Sequence, residues 1–472
     1  MRACLIIVLI SAICAPADTI YLKSGRRILA DRVRQGATHV EYDIGDNSYA
    51  IPKSLVDHVD ATGMPSAEGG PAGSGSEKPA SEMPAFTPRV SMDDSQVAVS
   101  VIKDGRVDTS VLDSLDRSGN AQMAAAGYFL AGRHEEEAGH RMQAESYLQH
   151  ALGLTPENPA ILTHYGAVLL QGGNYRQAME VALRATRLSP DSADAFAVLG
   201  FAQFMSDRSQ DAVRSWKRSL QLRPDPTVQQ FLAKAQREVA AEANFSERET
   251  GHFTLRYEGR QTSDEFRRQL LQVLDADYND LSTQLDAQPR YSIPVVLYTG
   301  QEFFDVTQAP GWTSALNDGK LRIPVSGLTE VTPELARVLK HELAHSFINQ
   351  LSGGRCPQWL HEGIAQLLEP RSTAYFGQRL GQLMSQHQAL PFNMLEGSFI
   401  RFSTPEARLA YDESLAAAEY IRDTDGMDDL VRILRRIAEG SSTEAAMRAT
   451  IHCDYAGLEN EVGAFLQQKY GK

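Results

Sequence analysis

The chain of 472 residues has little cysteine, no excess of positive charge and no long apolar run. Its 46 basic residues against 60 acidic ones give a net charge of −14, and no basic stripe is present, so nucleic acid is not an expected partner. Beyond residue 17 no segment is long and apolar enough to cross a bilayer, which takes about 20 residues. The apolar fraction of 42% is ordinary for a globular protein. The length leaves room for roughly two to four domains.

The N-terminus has the three parts of a signal peptide. A short basic start precedes the apolar residues 4–13, and Ala15–Ala17 forms a small-x-small cleavage site. We therefore expect residues 1–17 to be removed and the mature protein to be periplasmic or otherwise extracytoplasmic. Cys14 raises a lipoprotein as the alternative, although Ile13 before it fits a lipobox poorly.

Two of the four cysteines, Cys356 and Cys453, remain after the predicted signal peptide. An even number of cysteines in an oxidising compartment favours a disulfide between them. Two free, buried thiols are the alternative.

Two segments separate the signal peptide from the next regular pattern. Residues 18–60 contain short strand patterns joined by turn residues, which predict a small β module resembling an SH3 barrel. Residues 61–95 are rich in Gly, Pro, Ser, Ala and Glu, the composition of a flexible linker. Residues 96–118 have no clear pattern, and we group them with the linker, which then covers 61–118.

A period of 34 residues governs residues 119–243. Small residues and prolines recur at this spacing, as in Gly132, Gly166 and Gly200, Ala144, Ala178 and Ala212, and Pro156, Pro190 and Pro224. The period is that of tetratricopeptide repeats, in which small residues let paired helices pack closely. Residues 226–243 read as the capping helix that such an array needs. The array predicts a protein partner or substrate; a role as a mere spacer is the alternative.

The sequence His341-Glu-Leu-Ala-His345 is an HExxH motif. Histidines four residues apart share one face of a helix and can bind one metal ion, with Glu342 placed to act as a base. The surrounding residues predict that helix, because Thr332 can cap its start and Gly353 can end it. A helix that is apolar nearly all round is buried, and buried histidines need partners that a metal would supply.

A third ligand is expected in the next helix, which Pro370 ends. Glu362 follows His345 by 17 positions, after a turn that lets the second helix pack against the first. Two histidines and a glutamate form a known catalytic zinc set. His361 is a competing ligand beside Glu362, and an N-terminal helix charge is the alternative reading of Glu362 itself.

The HExxH motif followed by W-L-x-E-G-x-A resembles the gluzincin (Peptidase MA-like) metallopeptidases. The resemblance implies one Zn²⁺ per chain held by His341, His345 and Glu362, with Glu342 as the catalytic base. It also implies that Tyr411 stabilises the oxyanion, although an ordinary half-buried tyrosine is equally consistent with the pattern. Position 351 is Leu, which excludes the metzincin pattern. Nitrogen and oxygen ligands also accept divalent ions other than zinc.

The resemblance further implies that an edge strand ahead of the metal helix pairs with the substrate backbone, and residues 319–325 read as that strand. Pro324 suits an edge strand. Strands and helices alternate from residue 247, which predicts an α+β domain over 247–472 with a mainly helical C-terminal region.

Together these features predict a multidomain protein with a small N-terminal β module, an all-α tetratricopeptide solenoid and an α+β gluzincin metallopeptidase domain. The expected function is that of an exported zinc metallopeptidase acting on protein or peptide substrates. The alternative is a non-catalytic envelope scaffold that uses the repeat array and carries a structural or vestigial zinc site.

Overall fold

The computed structural model describes residues 18–23, 27–30, 32–36, 38–44, 47–60, 86–92, 101–308, 315–325, 327–369, 371–399 and 402–471. The predicted signal peptide and residues 61–85 of the predicted linker lie outside these ranges. Within them, each helix is too short or too polar to span a bilayer.

The N-terminal module consists of two three-stranded antiparallel sheets, which confirms the predicted small strand module. Its strands are β1 Asp18–Leu22, β2 Arg27–Ala30, β3 Arg32–Gln35, β4 His39–Ile44, β5 Asn47–Pro52 and β6 Val56–Asp60. The first sheet has the order β2-β1-β6 and the second β3-β4-β5. Alternating side chains from both sheets form a small shared core of Ile20, Val40, Tyr42 and Val56.

The repeat region consists of consecutive helix pairs joined by short turns, as the 34-residue period predicts. A short hairpin, β7 Ile102–Lys103 and β8 Arg106–Val107, and the helix α1 Thr109–Arg117 come first. Three pairs follow: α2 Ala121–Glu137 with α3 Arg141–Leu154, α4 Pro159–Gln171 with α5 Tyr175–Leu188, and α6 Ala193–Met205 with α7 Ser209–Leu222. The capping helix α8 spans Pro226–Ala241.

The recurring glycines allow the two helices of each pair to touch. A Cβ added to Gly200 would lie 2.5 Å from the indole of Trp216, and one added to Gly132 would lie 2.7 Å from Leu148. Both distances are shorter than real carbon contacts, so a larger residue would force the helices apart. The glycines therefore recur with the 34-residue period because each helix pair needs a small residue at the point of contact.

The interpretation of residues 61–118 as a flexible linker is wrong for the parts that the structure describes. Phe86 and Val101 are buried in the core of the array, and Leu112 of α1 is buried against it as well. The hairpin and α1 therefore extend the array at its N-terminal end. The apolar side chains of this stretch follow neither a repeat period nor a long run, so its sequence did not reveal that they pack against the array.

The C-terminal domain is α+β, as predicted. Its first half contains β9 Ser246–Glu249, β10 Phe253–Tyr257, α9 Asp264–Leu285, β11 Ile293–Tyr298, α10 Gly300–Thr307, β12 Leu316–Asn317 and β13 Leu321–Pro324. Its second half contains α11 Pro333–Ser352, α12 Gln358–Leu368, α13 Gly377–Ser385, α14 Thr404–Thr424, α15 Met427–Ala438, α16 Thr443–Ile451 and α17 Tyr455–Tyr470. The sheet has the order β12-β13-β11-β10-β9, and its three central strands are parallel.

The predicted edge strand is not at the edge of this sheet. Residues 321–324 form β13, which lies between β11 and the two-residue strand β12, so β12 is the edge next to the metal helix. Pro324 is tolerated because β12 pairs only with Leu321 and Arg322, which leaves the proline without a neighbouring strand on that side.

A buried ion cluster joins the array to the edge of the sheet. Arg322 donates from Nη2 to Oε2 of Glu238 on α8 (2.7 Å) and from Nε to Asp318 (2.8 Å). Lys234 of α8 donates to Asp318 (2.7 Å), and Lys320 is paired with Glu238. Together with a bond from Arg141 of α3 to the carbonyl of Ala438 (2.7 Å), this cluster fixes the array against the C-terminal domain.

Candidate metal centre

The two histidines of the HExxH motif lie one turn apart on α11, whose ends are those that the sequence predicts. The hydroxyl of Thr332 accepts from the amide of Leu335 (3.2 Å), and Gly353 ends the helix with a φ of +60°. The helix packs into the domain core through Leu339, Leu343, Ala344, Phe347, Ile348 and Leu351, which are all buried. The histidines are therefore held by a rigid, packed element.

Glu362 comes from α12 and reaches both histidines. Its Oε2 lies 3.4 Å from Nε2 of His341, and its Oε1 lies 3.9 Å from Nε2 of His345. Gly363 sets the position of α12, since a Cβ there would lie 2.3 Å from the carbonyl oxygen of Ser414 on α14. The close approach of α12 to α14 thus depends on the glycine that follows the glutamate in the motif.

His361 also lies at the cluster, but its ring is oriented differently. The rings of His345 and His361 stack with an interplanar angle of 9° and a centroid distance of 4.4 Å. The rings of His341 and His345 meet at 87°. Imidazole lone pairs lie in the ring plane, so two stacked parallel rings cannot both point at one ion. The geometry therefore favours His341 over His361 as the partner of His345.

The donor set fits a divalent metal ion. Ligand atoms of His341, Glu342 and His345 lie within 4.8 Å of one another, and so do those of His345, His361 and Glu362. Buried nitrogens without a hydrogen-bond partner among the described residues are Nδ1 of His341, Nδ1 of His345 and Nε2 of His361. Imidazole nitrogen and carboxylate oxygen are the ligands of catalytic zinc sites.

Burial drives most titratable groups of the cluster toward their neutral forms. It raises the pKa of Glu342 to about 7 with help from Glu362, and it lowers the pKa of His361 to about 4. Burial and the two neighbouring histidines also hold the pKa of His345 well below its usual value. His341 is the exception, because Glu362, Glu342 and Glu369 outweigh its burial and raise its pKa to about 9. The carboxylates around His341 make this an environment that favours a cation.

Several supporting residues were missed by the sequence analysis. Oε2 of Glu369 lies 3.6 Å from Nδ1 of His341, while Arg337 donates to the same oxygen (3.1 Å). Gln358 donates to Oε1 of Glu362 (3.0 Å). Glu369 follows Glu362 by two helical turns, so its placement on the same side of α12 was the available signal. A carboxylate behind a ligating histidine orients its ring and raises its basicity.

Asn317 connects the edge strand to the metal helix. Its Nδ2 donates to the carbonyl of Glu342 (2.6 Å) and to the hydroxyl of Ser346 (2.7 Å). The edge strand β12 is therefore held in a fixed position beside the HExxH residues, a second arrangement that the sequence did not reveal.

A cavity of about 2030 Å³ opens between the array and the C-terminal domain, and the cluster lies in its wall. Turns of the array, including Arg141 and Asp207, form part of the opposite lining. Tyr411 of α14 lines the same cavity and is 37% exposed. Glu362 and burial together raise its pKa, so the phenol keeps its proton and can act as a hydrogen-bond donor.

The predicted disulfide is not formed, since Cys356 and Cys453 are both free thiols. The thiol of Cys453 donates to the carbonyl of Asp454 (3.3 Å), in the turn between α16 and α17. Cys356 instead lies in the turn between α11 and α12 and lines the cavity. Burial raises the pKa of its thiol well above the usual value. An even cysteine count gave no information on whether the two turns that carry these residues present them to each other.

Comparisons with known proteins divide the chain in the same way. A model of the Peptidase MA superfamily matches residues 281–468, and a tetratricopeptide repeat model matches residues 137–200. The small glutamine-rich tetratricopeptide repeat-containing protein 2 of Mycosarcoma maydis is 27% identical over 121 residues, which are 26% of this chain and 31% of that protein. The match to this curated relative thus spans about a third of its length.

Solved structures also resemble the repeat region. The Arabidopsis OM64 TPR domain has 17% identity and a TM-score of 0.24, over 25% of this chain and 98% of that one. The structure titled MamA MSR-1 C2 has 18% identity and a TM-score of 0.24, over 28% of this chain and 84% of that one. From the family models, the chain carries a Peptidase MA superfamily domain preceded by tetratricopeptide repeats.

Proposed function

We propose that this chain is a zinc-dependent metallopeptidase of the gluzincin type. The observation that carries the proposal is the convergence of His341, His345 and Glu362 in the wall of an open cavity, with Glu342 beside them. The match to the Peptidase MA superfamily supports a peptidase, and the HExxH motif supports zinc as its metal.

The three ligands would be Nε2 of His341, Nε2 of His345 and the carboxylate of Glu362. When bound, zinc activates water and polarises the peptide carbonyl. Glu342 would then accept a proton from the attacking water and pass it to the leaving amine.

Two further side chains would assist the reaction. The phenol of Tyr411 would donate a hydrogen bond to the oxyanion that forms on the substrate, because its raised pKa keeps it protonated. Glu369, whose Oε2 lies 3.6 Å from Nδ1 of His341, would attract this ring by its charge. The substrate would lie in the cavity along β12, with the array turns forming the opposite wall.

The array would bind protein or peptide partners, which is the usual role of such solenoids. We also propose that the protein acts outside the cytoplasm, on the strength of residues 1–17. N-terminal sequencing of the protein purified from cells tests this point. Asp18 is the expected first residue, and a chain that still begins with residues 1–17 would contradict the proposal.

The test of the catalytic proposal is Glu342→Gln in the full chain. The variant should keep one zinc per chain and lose about 10²–10⁴-fold in peptide turnover, the usual contribution of a general base. Metal content by mass spectrometry and a proteome-wide comparison of cleavage products with wild type measure the two properties. If cells with the wild-type protein and cells with Glu342→Gln give identical cleavage products, the envelope scaffold with a structural zinc site would be supported instead.

A further inference from the structure

Residues 86–92 of the chain lie across the repeat array and form neither helix nor strand. The ring of Phe86 packs against that of Phe201 on α6, with a centroid distance of 5.3 Å. The amide of Arg89 donates to Oδ2 of Asp194 at the start of α6 (3.1 Å). The segment then reaches α4, where Nε2 of His164 donates to the carbonyl of Val90 (2.9 Å). It therefore crosses the first helices of two successive repeats.

The array groups that hold this segment are buried and positioned by other contacts. His164 is fully buried, and its Nδ1 is hydrogen-bonded to Glu136 of α2 (2.9 Å). Asp194 is 2% exposed and also accepts from Nη1 of Arg223 (3.1 Å). We call the surface formed by His164, Asp194 and Phe201 the α4/α6 face. It is a built surface whose polar groups point at a peptide backbone.

The contacts have the pattern of peptide recognition. Both polar bonds go to main-chain atoms of the segment, while the side chains of Phe86 and Pro88 are buried and that of Thr87 is exposed. Main-chain bonds supply affinity and pockets for alternate side chains supply specificity when an extended peptide is recognised. The exposed guanidinium of Arg89 lies 3.6 Å from Asp225, which adds a preference for a basic residue.

We propose that residues 86–92 are a displaceable intramolecular ligand of the α4/α6 face. The partner that displaces them is an extended peptide with an aromatic residue two positions before proline and a basic residue directly after it. The inference rests on the proposed protein-binding role of the array and is independent of the metal chemistry. Peptide binding is measured without turnover, so failure of one proposal leaves the other standing.

Tethering makes the segment a strong competitor. Eight residues separate Met92 from Val101, which is fixed in the array core. A short tether gives an effective concentration in the millimolar range. A peptide that binds the free face with a Kd of about 10 µM would therefore bind the wild-type chain roughly 100-fold more weakly. Partner access is regulated by the strength of the internal contact.

The test uses a fluorescent peptide with the sequence of residues 84–94 and the full chain. Fluorescence anisotropy compares wild type with the double variant Phe86→Ala, Arg89→Glu, which weakens the internal ligand. The peptide should bind the double variant at least about tenfold more tightly than wild type. Thr87→Ala is the matched control, because Thr87 lies in the same segment with an exposed side chain, and it should behave as wild type.

A second readout needs no variant. Hydrogen exchange at the amide of Arg89, which is bonded to Asp194, should speed up in wild type when the peptide is in large excess. Exchange that does not change at saturating peptide, or a folded double variant that binds no peptide up to 1 mM (about 100 times the assumed Kd), would mean that residues 86–92 are a permanent part of the fold and would overturn the proposal.

Discussion

Two buried polar clusters of this protein differ in how their charges are satisfied. In the ion cluster between the array and the sheet, opposite charges outweigh burial for four groups, so the pKa values of Glu238 and Asp318 are lowered and those of Lys320 and Arg322 are raised. Lys234 is the exception, because burial lowers its pKa. In the cluster of side chains around the HExxH motif, burial has the largest effect on the pKa values of Glu342, His345 and His361, which shift toward their neutral forms. A cluster whose charges are mostly paired is interpreted as structural. The cluster around the HExxH motif holds several carboxylates near His341, which raise the pKa of that histidine, and is suited to an added cation.

The comparison also separates two uses of the array. Its capping helix α8 contributes Glu238 and Lys234 to a fixed joint with the C-terminal domain. The α4/α6 face holds a peptide segment through main-chain bonds. The same repeat architecture thus serves as a rigid wall of the cavity at one end and as a peptide-binding surface along its helices.

The largest effect is expected from breaking the ion cluster with Arg322→Met. Arg322 is 1% exposed and bonds to Asp318, Glu238 and Tyr298, so its loss leaves buried carboxylates with too few partners. The free energy of unfolding should fall by about 3–5 kcal/mol, measured by urea denaturation. Arg268→Met breaks an exposed pair with Glu265 and should change it by less than about 0.5 kcal/mol. Equal losses of stability in the two variants would show that the buried ion cluster stabilises the fold no more than an exposed ion pair does.

The second prediction is that added zinc stabilises the folded protein through the HExxH residues. At 100 times its Kd, zinc should stabilise wild type by about 2.7 kcal/mol, and His341→Ala should abolish this gain. His361→Ala is the matched change in the adjoining position and should retain most of it, because the ring of His361 stacks on that of His345. Thermal unfolding with and without zinc or chelator measures the effect. Loss of the gain in His361→Ala with retention in His341→Ala would reassign the ligand.

A buried carboxylate with neither a cation nor a metal beside it gives a smaller, pH-dependent effect. Glu413 is fully buried, accepts from the amide of Leu390 (2.9 Å), and burial raises its pKa to about 8 from 4.5. Folded protein therefore keeps a proton that unfolded protein loses above pH 4.5, so this group's stabilisation is present at low pH and is lost as pH rises toward 8. The variant Glu413→Gln removes that dependence.

The expected difference is measurable by urea denaturation at two pH values. From pH 6 to pH 8, Glu413→Gln should gain about 2 kcal/mol of stability relative to wild type. Glu157→Gln, at an exposed position, is the control and should show no such gain. A constant difference between Glu413→Gln and wild type across this range would show that Glu413 is already ionised in the folded protein.

Local sequence patterns were sufficient for much of the fold. The 34-residue period predicted the helix pairs, and Thr332 and Gly353 predicted both ends of the metal helix. The capping helix was also predicted, over residues 226–243, and the structure has it at Pro226–Ala241. Such features depend on neighbours within a few residues along the chain, so sequence alone carries them.

The residues proposed as ligands were predicted from the sequence, but the groups that surround them were not. His341 and His345 share a helix face by spacing alone, and Glu362 followed from the family pattern. That Asn317 holds Glu342, that β12 rather than β13 is the edge strand, and that the two cysteines stay free depend on how distant segments meet. No periodicity in the sequence encodes such meetings.

The sequence by itself determined the local elements of this protein and the residue types of its candidate metal site, because helix periodicity and capping act over one or two turns. Only the tertiary structure decided which charges are paired and which surface the segment 86–92 covers. Glu238 and Lys320 are 82 residues apart, and Val90 and His164 are 74 apart. Contacts over such separations arise from the packing of whole elements, and the physical reason is that burial and counter-charge are properties of the folded surface.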